Sequence, residues 1–119
     1  MPARRTVFFI SDRTGITAEM LGNSLLTQFE DFQFRRVTVP FIDSPEKVED
    51  VIRQVNETGV AEGRRPIVFS SVVDEVASET IRARTEALTL DLFQIFIAPL
   101  EAELTAKSSH AAGRSHGIA

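Results

Sequence analysis

The chain of 119 residues has the length of one ordinary domain, and its 43% hydrophobic and 25% charged residues are typical of a globular protein. The absence of cysteine excludes disulfides, thiolate catalysis and cysteine-based zinc sites. The formal net charge of -4 argues against general nucleic-acid affinity. Because no apolar run reaches about 18 residues and no signal peptide is recognised, we expect a cytoplasmic protein that does not span a membrane.

Four short runs of apolar, β-branched and aromatic residues have the composition of buried strands. They are Thr6–Ser11, Arg35–Ile42, Arg65–Val72 and Leu88–Leu92. A helical pattern follows each of them. This alternation with short connections predicts an α/β fold, a four-stranded parallel sheet with flanking helices, resembling a flavodoxin-like or Rossmann-like half.

The four predicted helices are marked by their ends and their apolar faces. Ser44 is the expected N-cap of the second helix and Gly59 its stop. Asp74 is the expected cap of the third, which should run to about Ala87, and Pro99 should make the fourth start late or bend. The faces expected to be buried are Ala18, Leu21, Leu25 and Phe29 on the first helix, Val48, Val51, Ile52 and Val55 on the second, and Val76, Thr80, Ile81 and Leu88 on the third.

The segment from Thr105 onward is rich in small residues and has no apolar periodicity. We therefore expect an α/β domain over residues 1–104 and a linker or tail over residues 105–119. His110, Arg114 and His116 in this tail have the chemistry to bind phosphate or transfer protons. The alternative is that these side chains are simply solvated.

The polar segment SDRTGIT lies where the first strand is followed by the first helix, and the amides and dipole of a helix N-terminus favour an anion. Gly15 would allow close approach of the backbone, and Thr14 and Thr17 supply hydroxyl donors. Arg13 adds positive charge, whereas Asp12 would repel phosphate unless it holds a metal or hydrogen-bonds the turn. The same residue types also serve as simple helix caps, which is the alternative. The residues of this predicted phosphate-binding or interdomain site are Ser11, Asp12, Arg13, Thr14, Gly15 and Thr17.

Further polar residues follow the other strands at the carboxyl edge of the predicted sheet, where open parallel sheets bind ligands. They are Asp43, Ser70, Ser71 and Asp91. The two serines could contact a ligand there, although serines in such positions more often cap the following turn. The pattern GxxxxGK[ST] of a nucleotide-binding P-loop is absent. No catalytic residue and no metal site is assigned from the sequence.

Several blocks of the sequence, in the same order, resemble a known family. They are ISDRTGITAEMLGNSLLTQF, VTVPFIDSPEKV, RPIVFSSVV, and FIAPLEAEL followed by HAAGRSHGIA. The chain is similar over nearly its whole length to the N-terminal part of the phosphoenolpyruvate synthase regulatory protein family, also called the pyruvate, phosphate dikinase regulatory protein family. The first turn with its helix and the terminal RSHG are the most specific parts.

The resemblance implies a bifunctional serine/threonine kinase and phosphorylase. Members of the family use ADP to phosphorylate a threonine of the dikinase, and use inorganic phosphate to remove that group with release of pyrophosphate. The implied partner is phosphoenolpyruvate synthase (pyruvate, water dikinase). A homodimer is an expectation at the level of the family, and no cofactor is expected in these 119 residues.

The sequence departs from the family pattern in two ways. The family's nucleotide-binding P-loop follows the HG segment, and this chain ends at Ala119, so we expect an N-terminal domain that is inactive without its C-terminal kinase half. Arg13 stands where a small residue is more usual, which could alter what the turn binds. The resemblance also implies a role at the domain junction for His110, Arg114 and His116.

Other classes of function remain open from the sequence. A flavodoxin-like flavin-binding domain would need phenylalanine around its flavin, because the chain has no Trp and no Tyr. A receiver-like signalling domain would need clustered acids and a lysine late in the sheet, and Lys107 follows the last helix instead. A non-catalytic protein-interaction module would bind no small molecule.

Overall fold

The structure is a computed structural model and describes residues 4–109. Its elements are β1 (Arg4–Ile10), α1 (Ile16–Leu26), β2 (Gln33–Val39), α2 (Pro45–Glu62), β3 (Ile67–Ser70), α3 (Glu75–Arg84), β4 (Leu88–Asp91) and α4 (Leu92–Leu104). The strands pair in parallel in the order β2-β1-β3-β4. The predicted four-stranded parallel sheet with flanking helices is confirmed, and its order is the flavodoxin-like one.

The core is divided between the two faces of the sheet, because successive side chains of a strand point to opposite faces. On one face, Phe8 and Ile10 of β1 pack with residues of α2 and α3. On the other face, Val7 and Phe9 pack with residues of α1 and α4. Each of these four side chains is at most 1% exposed. The central strand is therefore buried on both sides, as its continuous apolar run predicts.

Gly22 decides which face of α1 meets the sheet. A Cβ at this position would come within 2.5 Å of the ring of Phe9, so the helix can lie this close only with glycine there. The prediction that Leu25 and Phe29 are buried is wrong, since they are 46% and 55% exposed. The hydrophobic pattern favoured the larger side chains, whereas the contact is made through small ones. The buried residues of α1 are Ala18, Gly22 and Leu26.

The second helix begins as predicted and ends later. The hydroxyl of Ser44 caps α2 by accepting a hydrogen bond from the amide three residues on, at 3.3 Å. Gly59 is not the stop, because α2 continues for three more residues to Glu62 and is capped by Gly63, whose φ of 72° suits glycine. Gly59 instead makes room for Pro66, whose Cδ would lie 3.1 Å from a Cβ there. The predicted buried face of α2 is confirmed at Val48, Val51, Ile52 and Val55.

The boundaries of the last two helices also differ from the predictions. Asp74 caps α3 as predicted, but α3 ends at Arg84, and Val76 is 76% exposed instead of buried. The fourth helix does not start late: Asp91 caps it directly after β4, and the helix continues through Pro99. No helix within residues 4–109 is long and apolar enough to cross a membrane.

Polar contacts join α2 to α3 on their face of the sheet. Arg84 forms an ion pair with Glu49, and this hydrogen-bonded arginine lowers the pKa of the Glu49 carboxyl. Asn56 donates to the carbonyl of Arg84 at 3.0 Å and accepts from the amide of Glu86 at 2.7 Å. The two helices are thus fixed to each other as well as to the sheet.

Candidate functional site

The carboxyl edge of the sheet contains a topological switch point between β1 and β3. The chain leaves β1 through α1 towards β2 and leaves β3 through α3 towards β4, on the opposite side. The loops that follow these two neighbouring strands therefore diverge, and ligands of doubly wound proteins bind in the crevice between such loops.

The turn between β1 and α1 is bonded to the loop between β2 and α2. The amide of Ser11 donates to the carbonyl of Val39 at 3.2 Å, and the carbonyl of Ser11 accepts from the amide of Ile42 at 2.9 Å. The amide of Phe41 donates to the carbonyl of Arg13 at 2.8 Å. Because Ser11 is only 3% exposed, its backbone acts as a fixed support for the turn.

Two backbone amides of the turn, which could otherwise bind an anion, donate hydrogen bonds to hydroxyl oxygens of the same turn. The Oγ of Ser11 accepts from the amide of Arg13 at 2.9 Å. The Oγ1 of Thr14 accepts from the amide of Ile16 at the longer distance of 3.4 Å. Both are contacts between a hydroxyl and the amide two residues on, which stabilise the turn itself and are not side-chain caps from the N-cap position of α1.

Gly15 is the N-cap of α1, and both its backbone conformation and its surroundings favour glycine. Its φ of 87° lies in the left-handed region, and a Cβ there would come 3.1 Å from the Cγ2 of Thr38. No side chain caps α1 from this position. The side chains of Arg13, Thr14 and Thr17 are exposed beside it. The turn thus presents a guanidinium and hydroxyls to solvent at a helix N-terminus.

Asp12 extends from this turn across the switch point. Its Oδ2 accepts a hydrogen bond from the backbone amide of Val73, in the loop between β3 and α3, at 2.9 Å. Its Oδ1 is buried and has no hydrogen-bond partner within the described part of the chain. The carboxylate therefore bonds the neighbouring loop and not its own turn, and it keeps its negative charge near the start of α1.

The other predicted edge residues are spread along the carboxyl edge. Ser70 is buried, and its Oγ accepts from the amide of Val72 at 3.2 Å, so it caps the loop after β3. The amide of Ser71 donates to the carbonyl of Ile10 at 2.9 Å. Asp43 lies in the loop before α2 and forms an exposed 3.0 Å ion pair with Lys47. These contacts give each residue a structural partner.

Asp91 lies beside a cavity of about 420 Å³ at the same edge. Its Oδ1 accepts from the amide of Gln94 at 2.9 Å, which caps α4, and its Oδ2 accepts from the hydroxyl of Ser78 at 2.6 Å. The volume lies within the usual range of small-ligand sites, although the cavity is open on one side. Residues lining it include Val72, Val73, Ser78, Arg82, Asp91 and Phe93.

Three residues of this edge were not singled out from the sequence. Ser78 and Arg82 lie inside α3, where the sequence pattern indicated only a helix surface, and the folded arrangement of α3 and β4 brings them to the cavity. Phe41 adopts a φ of 59°, which costs a residue with a Cβ about 1–2 kcal/mol, and it is half exposed. The sequence placed it in the predicted strand Arg35–Ile42, whereas β2 ends at Val39 and Phe41 lies in the loop that follows.

The chemistry of the described edge is that of a polar, hydrogen-bonding surface. Within residues 4–109, no group of three or more His, Asp or Glu side chains is placed to hold a metal ion. The predicted tail residues His110, Arg114 and His116 lie outside the described residues. The fold is that of a doubly wound α/β domain, a class of protein in which ligands bind at the switch point of the sheet.

Comparison with known proteins assigns the family. A profile of the kinase/pyrophosphorylase family matches residues 7–119. A protein of Aromatoleum aromaticum is 56% identical over 115 residues, which are 97% of this chain and 41% of its own length. A protein of Alkalilimnicola ehrlichii is 54% identical over 116 residues, 98% of this chain and 42% of its own length. Both bear the provisional name phosphoenolpyruvate synthase regulatory protein.

The chain belongs to the kinase/pyrophosphorylase family. It spans about two fifths of the length of the curated relatives it matches. The resemblance drawn from the sequence blocks is therefore confirmed at the level of the family.

Proposed function

We propose that the chain is the N-terminal domain of a bifunctional regulator of phosphoenolpyruvate synthase. The parent protein would transfer the terminal phosphoryl group of ADP to a threonine of the synthase and leave AMP. It would also transfer the phosphoryl group from that threonine to inorganic phosphate and form pyrophosphate. The observation that carries the proposal is the identity of 49–56% with regulatory proteins of this name over nearly the whole chain.

The carboxyl edge supports a phosphate contact in this domain. At the start of α1, Arg13 and Thr17 are exposed beside the N-terminal amides, and the helix dipole favours negative charge there. The carboxylate of Asp12 is directed to the amide of Val73 in the neighbouring loop, and its negative charge opposes such a contact in part. We assign Arg13, Thr14, Gly15 and Thr17 to the phosphate or interdomain contact.

The 119 residues lack the P-loop pattern by which many proteins bind the phosphates of a nucleotide. Nothing in SDRTGIT replaces the lysine that neutralises the β- and γ-phosphates in a P-loop. The proposed role of these residues is therefore to position the substrate protein or a phosphate, and the nucleotide chemistry is assigned to the remainder of the parent protein.

The test uses a hybrid chain, in which residues 1–119 replace the matched region of the Aromatoleum aromaticum relative. With ADP labelled in its terminal phosphate and purified phosphoenolpyruvate synthase, we expect label on a threonine of the synthase. Inorganic phosphate should then remove it as labelled pyrophosphate. The 119-residue chain alone is the matched control and should transfer no label.

Two results would contradict the proposal. Robust transfer by the 119-residue chain alone would show that the chemistry lies in this domain. Failure of the folded hybrid to label the synthase, under conditions in which the unaltered relative does so, would show that this domain does not serve that reaction.

A further inference from the structure

The two faces of the sheet differ in what their helices present to solvent. Within residues 4–109, the exposed large apolar residues of α2 and α3 are Val60 and Val76, and Phe41 and Leu88 are exposed in the loop before α2 and at the start of β4. The face of α1 and α4, with the turn after α1, has many more within residues 4–109. They are Ile16, Met20, Leu25, Phe29, Phe32, Ile95, Phe96, Leu100 and Leu104.

The composition of α4 does not match its burial. Ten of its thirteen residues, LFQIFIAPLEAEL, are apolar, and its charges are confined to Glu101 and Glu103 near the end. A helix that is apolar on all sides is normally buried on all sides, yet only Leu92 is buried. The exposed fractions of Phe96 and Leu100 are 54% and 51%. Packing against the sheet accounts for one side of α4 and leaves the other without a partner in the described chain.

The exposed apolar residues of α4 lie along one side of the helix. Phe96, Leu100 and Leu104 are spaced by four residues, which brings them to successive turns of the same side. Ile95 is 48% exposed next to this row. We call these four residues the α4 row. Exposed apolar surfaces of this kind mark contact sites for other protein surfaces.

We infer that the α4 row is an intramolecular interface, covered by the part of the longer family chain that these 119 residues do not include. More than half of each relative's length lies outside its match to this chain, so a folded surface of suitable size is available in the same polypeptide. Covalent connection raises the effective concentration of such a surface to the millimolar range. Because the row carries no charge, an apolar, permanent interface fits it better than a charged ligand.

This inference rests on membership of the family and does not depend on the proposed regulatory reaction. The α4 row is an apolar surface, whereas the carboxyl edge of the sheet is polar and hydrogen-bonded. A hybrid without activity could still show the interface, and an active hybrid could lack it. The two proposals can therefore fail separately.

The chain has no cysteine, which allows a direct test by thiol labelling. Phe96→Cys is introduced into the 119-residue chain and into the hybrid, and the rate of maleimide modification at that residue is followed by peptide mass spectrometry. Val60→Cys, at a position 84% exposed on α2, is the matched control. We expect the cysteine at position 96 to be modified at least about tenfold more slowly in the hybrid, and the control at equal rates in both.

Equal rates at position 96 in the two proteins would overturn the inference. Modification of the 119-residue chain that slows as its own concentration rises would also overturn it, because the row would then bind a second copy. Leu100→Cys serves as a second reporter of the same row. If circular dichroism shows that the hybrid does not fold, cysteines are placed at the aligned positions of the unaltered relative and of its matched N-terminal region. Slower modification in the full-length relative is again expected, and equal rates would again overturn the inference.

Discussion

The carboxylate of Asp12 accepts a hydrogen bond from the backbone amide of Val73 and so joins the loops that follow β1 and β3. The two residues are 61 positions apart in sequence, and their 2.9 Å contact crosses the switch point of the sheet. Val73 also lines the cavity beside Asp91. The turn at α1 and the cavity at α4 are thereby connected through a single loop.

Replacing Asp12 should destabilise the domain. Asp12→Ala removes a charged hydrogen bond of about 1.5–3 kcal/mol but also removes the buried, unpartnered Oδ1, so we expect a net loss of about 1–2 kcal/mol in the free energy of unfolding. Urea unfolding followed by circular dichroism measures it. The control is Asp43→Ala, which breaks an exposed ion pair and should cost no more than about 1 kcal/mol. Equal losses for the two variants would refute the bridging role.

Gly22→Ala tests the close approach of α1 to the sheet. Alanine is the better helix former by about 1 kcal/mol, but its Cβ would come within 2.5 Å of the Phe9 ring, and overpacking costs about 1–3 kcal/mol. We therefore expect the variant to unfold at lower temperature than the parent. Ser24→Ala, at an exposed position of the same helix, should be neutral or stabilising. A Gly22→Ala variant as stable as the parent would mean that α1 can move away from Phe9 at little cost.

Arg13→Ala tests the proposed anion contact at the start of α1. Inorganic phosphate should raise the melting temperature of the 119-residue chain by mass action, and loss of an exposed guanidinium should weaken its binding about two- to fivefold. The measurement is a thermal shift titration at constant ionic strength, made with sulfate in parallel. Arg64→Ala, an exposed arginine before β3, should leave the titration unchanged. Identical titrations for both variants would exclude Arg13 from the site.

The ion pair of Glu49 with Arg84 predicts a pH dependence. The hydrogen-bonded Arg84 lowers the pKa of Glu49 in the folded state below its ordinary value of 4.5, so the contribution to stability is complete above that value and is lost as the pH falls through the lowered pKa. The melting temperature of Glu49→Gln should be lower than that of the parent at pH 7, and the two should converge below pH 4.5.

The control for this prediction is Asp50→Asn, which removes the same charge from α2 but breaks only a local pair with Arg53. Its effect should be smaller, because that pair does not join two helices. A difference between Glu49→Gln and the parent that persists unchanged in acid would show that the carboxylate charge is not the cause.

Sequence patterns predicted the secondary structure and topology well where a single local feature, such as an apolar run or a capping hydroxyl, determines the structure. The run TVFFIS predicted a strand buried on both faces, and Val7 and Phe8 confirm it. The cap at Ser44 was recognisable because its hydroxyl bonds an amide three residues away. In contrast, the end of α2 was wrongly predicted at Gly59: Gly63, with its φ of 72°, caps the helix, and Gly59 lies against Pro66 instead.

The sequence by itself determined the alternation of elements, the two-sided core strand and the family, because hydrophobic periodicity, capping residues and motif blocks are local properties. Only the tertiary structure decided that Asp12 bonds Val73, that Ser78 meets Asp91, and that α4 keeps an apolar side exposed. These relations join residues of different elements, and their geometry follows from how helices pack on a twisted sheet. No spacing along the chain encodes that geometry.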